Sequence, residues 1–467
     1  MVFSSIVFIF AFLPVVLIGY YLIAPKLRNL FLLLASLTFY YVGETRSVWI
    51  ILTSILINYL FGLFIANSKT PLLRKISLSI GVFLNIALLF YFKYINFTVN
   101  IFNSVFNSNI FIQTIALPIG ISFFTFQGLT YIVDLYRGDV KLQKNPLNIA
   151  LYITLFPQLI AGPIVRYKDV NEQIKKRSVT RQSFYTGIKR FTFGLAKKIV
   201  IANTAAIIAD KIFNIPAREN SVISTWIGVL CYAIQIFFDF SGYSDMAIGL
   251  GKMFGFDFKE NFNYPYISKS ITEFWRRWHI SLSSFFKDYV YIPLGGNRRG
   301  NVYVNLIIVF FLTGLWHGAS LNFIVWGLWH GIFMLIERRF RSDKVSNKPI
   351  VAIMKRIYTL LVVIIGWVFF RAEDLPHALS YLGRMFGIIK PTIVGASFTY
   401  YLDSYSILII VFGIILSTKL IPTLLKKMEN YKRIYIIGET AILVFLLLYC
   451  GIYVMASTYN PFIYFRF

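Results

Sequence analysis

The sequence predicts an all-α, multi-pass membrane protein. Two observations carry that prediction. Of the 467 residues, 57% are hydrophobic and only 14% are charged, where an ordinary soluble domain is about 25% charged. Apolar runs recur from one end of the chain to the other, and the mean hydropathy is +0.68. A soluble globular enzyme, a disordered chain and a fibrous repeat are excluded on these grounds.

A membrane-crossing helix needs about 20 mostly apolar residues. Such runs lie near 2–23, 30–43, 47–66, 77–97, 116–136, 192–214, 222–250, 302–317, 321–337, 357–371, 400–418 and 434–456. No Lys or Arg precedes the first run, and Lys26 and Arg28 follow it. That order predicts an anchor with its N-terminus outside rather than a cleaved signal. Lys69, Arg74 and Lys75 after the third run, and Arg137, Lys141 and Lys144 after the fifth, fit the same alternation. No repeat, low-complexity tract or linker interrupts the chain, so residues 1–467 read as one integral domain.

The stretch 148–164 breaks the alternation. It is apolar, but the ten bases and two acids of 165–198 should stay on the cytoplasmic side. It also contains Pro157, Gly162 and Pro163, which interrupt helices. Either it dips in and returns the same way, lining a protein cavity, or it is a Pro-kinked span.

The net charge is +26, from 46 Lys and Arg against 20 Asp and Glu. In a soluble protein this would suggest nucleic acid; in a chain this apolar it reads as topology and contact with anionic lipid. Four loops, 165–198, 252–300, 337–356 and 419–433, hold 30 of the 46 bases. Cys231 and Cys450 both lie in apolar runs, which argues against a disulfide framework or a cysteine metal cluster.

Ionisable residues inside apolar runs are functional candidates. Of four histidines, His317 and His330 share the stretch FLTGLWHGASLNFIVWGLWHG (311–331). His317 meets the small residues Gly318, Ala319 and Ser320, and the uncharged loop around Gly318–Asn322 is short enough to sit below the membrane surface. A buried neutral imidazole there can take a proton from a hydroxyl; packing across helices or proton relay are the other roles. His330 falls on a different face of an unbroken helix and reads as structural. His377, in RAEDLPHA (371–378), reads as a surface residue.

His279 belongs to SKSITEFWRRWHISLSSFFKDYV (268–290), whose apolar residues recur at helical spacing. An amphipathic interfacial helix is expected, with His279 one turn from Trp275. It either anchors in the membrane or folds back to shape a chamber, with Arg276 and Arg277 near a phosphorylated ligand. Asp239 and Asp245 in IQIFFDFSGYSDMAIGLG need partners: a histidine to orient, a cation, or an arginine. Paired acids also fit an ion-coupled carrier. There is no P-loop, G-x-S-x-G, H-E-x-x-H or cysteine/histidine metal spacing, so no metal site is expected.

Several stretches together carry a family resemblance: LPIGISFFTFQGLTYIVDLYRG (117–138), FPQLIAGPIVRY (156–167), FFDFSGYSDMAIGLGKMFGFDFKENFNYPY (237–266), FWRRWHISLSSFFKDYVYIPLGGNRRG (274–300), FLTGLWHGASLNFIVWGLWHG (311–331) and NPFIYFRF (460–467). In this order they resemble the membrane-bound O-acyltransferase family, within it the bacterial polysaccharide branch typified by alginate O-acetyltransferase, with a core at 117–331. The resemblance implies a bundle of about 11–12 transmembrane helices, with re-entrant and interfacial helices around a central chamber open from both sides. It places the invariant histidine at His317 and the second at His279. It implies no bound cofactor, with acetyl-CoA or another acyl thioester as the cytoplasmic donor substrate. An extracytoplasmic partner acyltransferase and an extracellular polysaccharide would complete the transfer.

On that reading His317 removes the proton of the acceptor hydroxyl. His279 orients the acceptor, binds the thioester carbonyl or holds His317. Trp316 or groups near Asn322 stabilise the oxyanion, and Arg276, Arg277, Arg298 and Arg299 attract phosphate or lipid. The alternatives are D-alanyl transfer to teichoic acid from a carrier-protein thioester, and a transporter or flippase. A transporter would bind substrate without turnover and tolerate His317→Ala.

Overall fold

The computed structural model describes residues 1–160, 162–340, 348–392, 398–428, 432–456 and 459–463. Parts of four stretches singled out above, namely residue 161, loop residues 341–347 and 429–431, and 464–467 of the terminal motif, lie outside the described residues. Among the described residues every regular element is a helix. Six are long and apolar enough to cross a membrane: Thr45–Asn67, Pro71–Lys93, Arg181–Phe213, Val222–Met253, Pro349–Arg371 and Ile436–Ala456. A seventh candidate is the pair Ser404–Leu416 and Leu420–Lys427, bent by 72°. Other apolar runs form shorter helices, such as Arg28–Gly43 and Val302–His317. At 1.5 Å per residue, 16 residues reach about 24 Å, short of a hydrocarbon core of about 30 Å. An all-α polytopic membrane protein is what the composition predicts, and the structure has that form.

Backbone packing divides the chain into two compact units, Met1–Phe191 with Tyr243–Lys259, and Thr192–Gly242 with Glu260–Phe467. In the first unit, the broken stretch 148–164 is two pieces. Asn145 caps the helix Pro146–Thr154, whose proline sits at the first turn where its missing N–H costs nothing. The helix stops at Leu155, and a single turn, Phe156–Leu159, follows. The nine and four helical residues of the two pieces together reach about 20 Å, short of a hydrocarbon core of about 30 Å. The free backbone groups of the stretch are satisfied inside protein: Phe156 N–H donates to Ser36 Oγ and Gln158 Nε2 to the Tyr152 carbonyl. Every described residue from Leu151 to Ile160 is buried. Non-helical backbone at membrane depth survives under that condition.

The basic loop assigned to 165–198 is mostly helix, Tyr167–Lys175 and then a longer one. Arg181–Ala196 continues through a π-turn, Lys197–Ala202, into Asn203–Phe213. Bases from Arg181 to Lys198 therefore ride on a long helix. Two of them are neutralised there, Arg190 by Asp245 at 2.7 Å in the first unit and Lys198 by Asp239 at 2.7 Å in the second. Hydropathy counts such charges as loop charges because it cannot see a partner on another helix.

The second unit holds the antiparallel helical pair Val302–His317 and Leu321–Arg339, joined by Gly318, Ala319 and Ser320. Asn301 caps the first helix by accepting from Tyr303 and Val304 N–H. The two backbones touch at glycines: a Cβ on Gly314 would lie 2.3 Å from the Phe323 carbonyl oxygen. Small residues at such crossings let helices approach closely.

Candidate active site

The single amphipathic helix expected over 268–290 is broken in two, Ile271–Arg277 and Ile280–Phe286, with His279 at the break. Ser270 starts the first piece by accepting from Glu273 N–H. The Glu337 carboxylate accepts from Ile271 N–H, Thr272 N–H and the Thr272 hydroxyl, an acid seated on a helix N-terminus. The pieces are not an exposed anchor: Ile271, Phe274, Trp275, Trp278, His279, Leu282 and Phe285 are buried in the core of their unit.

His279 has φ +43° and ψ 54°, a left-handed backbone rare outside glycine. Such strain persists only where surrounding contacts hold it and is concentrated at functional positions. The contacts come from the segment before Pro265. Asn263 N–H donates to the Arg277 carbonyl and Ile280 N–H to the Asn261 carbonyl. The Asn261 side-chain oxygen accepts from Ser281 N–H at 3.1 Å and the Ser281 hydroxyl at 2.9 Å, and lies 3.2 Å from His279 Nδ1. His279 Nε2 is buried and meets no hydrogen-bond partner among the described residues. Burial pushes the imidazole down to about 3, so it is neutral at ordinary pH.

His317 ends its helix, 3% exposed, and its ring centre lies 6.3 Å from that of His279. Trp316 borders both rings, at 4.8 Å from His317 and 5.9 Å from His279. Trp326 and Phe370 close on His317 at 4.9 and 5.1 Å, and Phe240 stands edge-on to His279 at 4.6 Å. The result is two neighbouring imidazoles in an aromatic enclosure. Both rings are buried, so a bound hydroxyl can reach an imidazole nitrogen with little competition from solvent.

The other sequence candidates fall elsewhere. Asn322 gives both amide hydrogens to carbonyls at the end of the helix Pro349–Arg371, Phe369 at 3.1 Å and Ala372 at 2.9 Å. Its donors are committed to closing that helix. Asp239 pairs with Lys198, and Asp245, in the first unit, with Arg190. Arg277 is bound to Glu273 at 2.8 Å and to the Asn263 carbonyl, while Arg276 is exposed. His330 is fully buried in its helix, and the short loop turns both His317 and His330 onto Trp326, at 4.9 and 5.3 Å. His377 is half-buried. Among the described residues no cluster of His, Cys, Asp or Glu has metal-site geometry. Asn261 was not singled out in the sequence, although it lies in the stretch 237–266 that carries the family resemblance.

The profile of the membrane-bound O-acyltransferase family matches residues 37–371. The chain belongs to that family. The match extends beyond the 117–331 core on both sides and includes His279 and His317. Among relatives of this O-acyltransferase, a protein of Pseudomonas putida named "Probable alginate O-acetylase AlgI" is 46% identical over 83% of this chain and 80% of its own. The "Peptidoglycan O-acetyltransferase" of Helicobacter pylori is 37% identical over 83% of this chain and 80% of its own. The "Teichoic acid D-alanyltransferase" of Bacillus subtilis is 34% identical over 46% of this chain and 58% of its own. The protein is therefore an O-acyltransferase of the cell membrane.

Proposed function

We propose that this enzyme passes an acetyl group from a cytoplasmic thioester, acetyl-CoA, across the membrane toward an extracellular polysaccharide, with His317 as general base. The observation that carries the reading is the buried His279–His317 pair, 6.3 Å between ring centres, inside an aromatic wall. A thioester is a good acyl donor, but a hydroxyl is too weak an acid to attack unaided. His317 accepts the hydroxyl proton as the oxygen bonds to the carbonyl carbon. The C–S bond then breaks, and the proton passes to the departing thiolate. A base so placed is worth about 10²–10⁴ in rate. On this reading the Trp316 indole, 4.8 Å from His317 between ring centres, donates to the oxyanion.

The exposed Arg276, Arg298 and Arg299 offer charge for donor phosphates or lipid headgroups. The whole chain acts as one acyltransferase domain, and an extracytoplasmic partner acyltransferase completes delivery. No cofactor is required, since the thioester supplies the activated group. The polysaccharide acceptor is supported by the names of the relatives that cover most of the chain. A second reading, D-alanyl transfer from a carrier protein, rests on the shorter match to the teichoic acid enzyme.

The test is mass spectrometry of surface polymers from cells carrying wild type or His317→Ala. Loss of polymer acetate, with the variant still inserted and folded, is the expected result. Wild-type acetylation in the variant refutes the mechanism, and D-alanine in place of acetate selects the second reading.

A further inference from the structure

We infer that Asn261 is a positioning residue that fixes the tautomer of His279, holding the proton on Nδ1 and leaving Nε2 as a bare acceptor beside His317. The hydrogen-bond network decides this without reference to any substrate. A backbone N–H can only donate. Ser281 N–H lies 3.1 Å from one terminal atom of the Asn261 amide, so that atom is the oxygen. The same oxygen lies 3.2 Å from His279 Nδ1, and the Ser281 hydroxyl, 3.5 Å from that nitrogen, already gives its hydrogen to the oxygen at 2.9 Å. An amide oxygen has no proton to give, so Nδ1 carries the hydrogen. A neutral imidazole has one N–H, and Nε2 is therefore unprotonated. It is buried and meets no donor among the described residues.

The backbone supports the same assignment. The Asn261 carbonyl takes Ile280 N–H at 2.9 Å, so one residue grips the chain on the far side of His279 with its main chain and the ring with its side chain. That double grip accounts for how a non-glycine residue is kept at φ +43°. Asn261 is itself 1% exposed, so water does not compete for its oxygen. His317 is a titratable ring packed against His279; Phe240 and Trp316, also against it, do not titrate. A bare nitrogen in that place accepts a hydrogen bond and gives none, so it can receive a proton-bearing group beside His317, which the opposite tautomer cannot do.

The tautomer does not depend on the function proposed above, and it can be read directly. The chain has four histidines, so ¹⁵N-histidine labelling in detergent or lipid gives four resolvable rings, assigned by His279→Gln. We expect His279 to show a protonated Nδ1 and an unprotonated Nε2. In Asn261→Ala the ring should become a mixture of tautomers, and Asn261→Asp, which keeps an acceptor at the same reach, should restore the single form. A proton on Nε2 in the wild type overturns the inference, as does an unchanged ring in Asn261→Ala. If Asn261→Ala does not fold, the wild-type spectrum alone decides.

The rate arm rests on the acyl-transfer reading. With acetyl-CoA as donor, Asn261→Ala should lose at least about tenfold in kcat per folded protein with KM nearly unchanged, and Asn261→Asp should recover most of it. A residue serving only as a structural clamp would lower the yield of folded protein and leave kcat alone. Failure of the His317→Ala test with the expected tautomer present would sink the function and spare this assignment. A wrong tautomer with inactive His317→Ala would do the reverse.

Discussion

Lys198 Nζ lies 2.7 Å from Asp239 Oδ1, and the two residues are 2% and 1% exposed. The pair also ties down the end of the chain: Lys198 donates to the Pro461 carbonyl, and Asp239 Oδ2 accepts from Ile463 N–H at 2.8 Å. The π-turn Lys197–Ala202 is where the long helix carries this lysine, and π-turns often mark such functional positions. Taking two charges out of water is expensive, and removing one partner leaves the other uncompensated. Asp239→Ala or Lys198→Ala alone should therefore cost about 3–5 kcal/mol. The double variant Lys198→Met with Asp239→Leu should recover most of that loss. Thermal unfolding followed by size exclusion in detergent reads both, and additive losses in the double variant would contradict a coupled pair.

A second expectation concerns the helical pair that carries His317. A Cβ on Gly327 would lie 2.3 Å from the Phe310 carbonyl oxygen, a backbone atom that has no rotamer with which to move aside. Gly327→Ala should cost about 1–3 kcal/mol by forcing the helices apart and should lower acyl transfer, because Trp326, which walls His317, is the adjacent residue. Gly438→Ala, with nothing within 4 Å, is the control and should be silent in both measurements.

Much of this was readable from residue order, and the remainder fails for identifiable reasons. The fold class follows from composition. The break at 148–164 follows from Pro157 colliding with the basic loop beyond it. His317 stood out as a rare ionisable group in an apolar run, and the family resemblance named His279 as the second histidine. What periodicity missed was the interruption at His279, because the spacing of Trp275, Trp278 and Leu282 is helical on both sides of it. Asn261 was hidden for the same reason: its contact exists only because the chain turns left-handed at His279. Lys198 was misread as a loop charge because its neutralising carboxylate lies on the next helix.

His330 and His317 should separate stability from chemistry. Neither ring nitrogen of His330 meets a hydrogen-bond partner among the described residues, and its ring stacks on Phe274, 6.1 Å between centres and 6° from parallel. Its contribution is volume in the core. His330→Ala should lower the unfolding midpoint, as loss of a buried ring does by about 3–5 kcal/mol, yet keep acyl transfer per folded molecule within a few-fold. His317→Ala should fold and not turn over. Polymer acetate normalised to folded protein tests the pair, and inactivity of folded His330→Ala would place that ring in the chemistry.

Acid should act through Asp169, in the first turn of the helix Tyr167–Lys175. Burial pushes its carboxyl up, but hydrogen bonds and charge from Lys259 and Arg166 outweigh that and hold it below the ordinary value. Arg166 Nε is 3.1 Å away and Lys259 Nζ 2.5 Å. A folded-state value below the unfolded one, about 3.9, means the stabilisation is complete above that pH. It is lost as pH falls through the folded value, because the unfolded chain then binds the proton more readily. Thermal midpoints measured downward from pH 6 should fall more steeply below about pH 4 in the wild type than in Asp169→Asn, so that the two converge. Added salt at pH 6 should narrow the gap as well, since Lys259 is largely exposed. Parallel curves across the whole range would show that Asp169 contributes nothing through its charge.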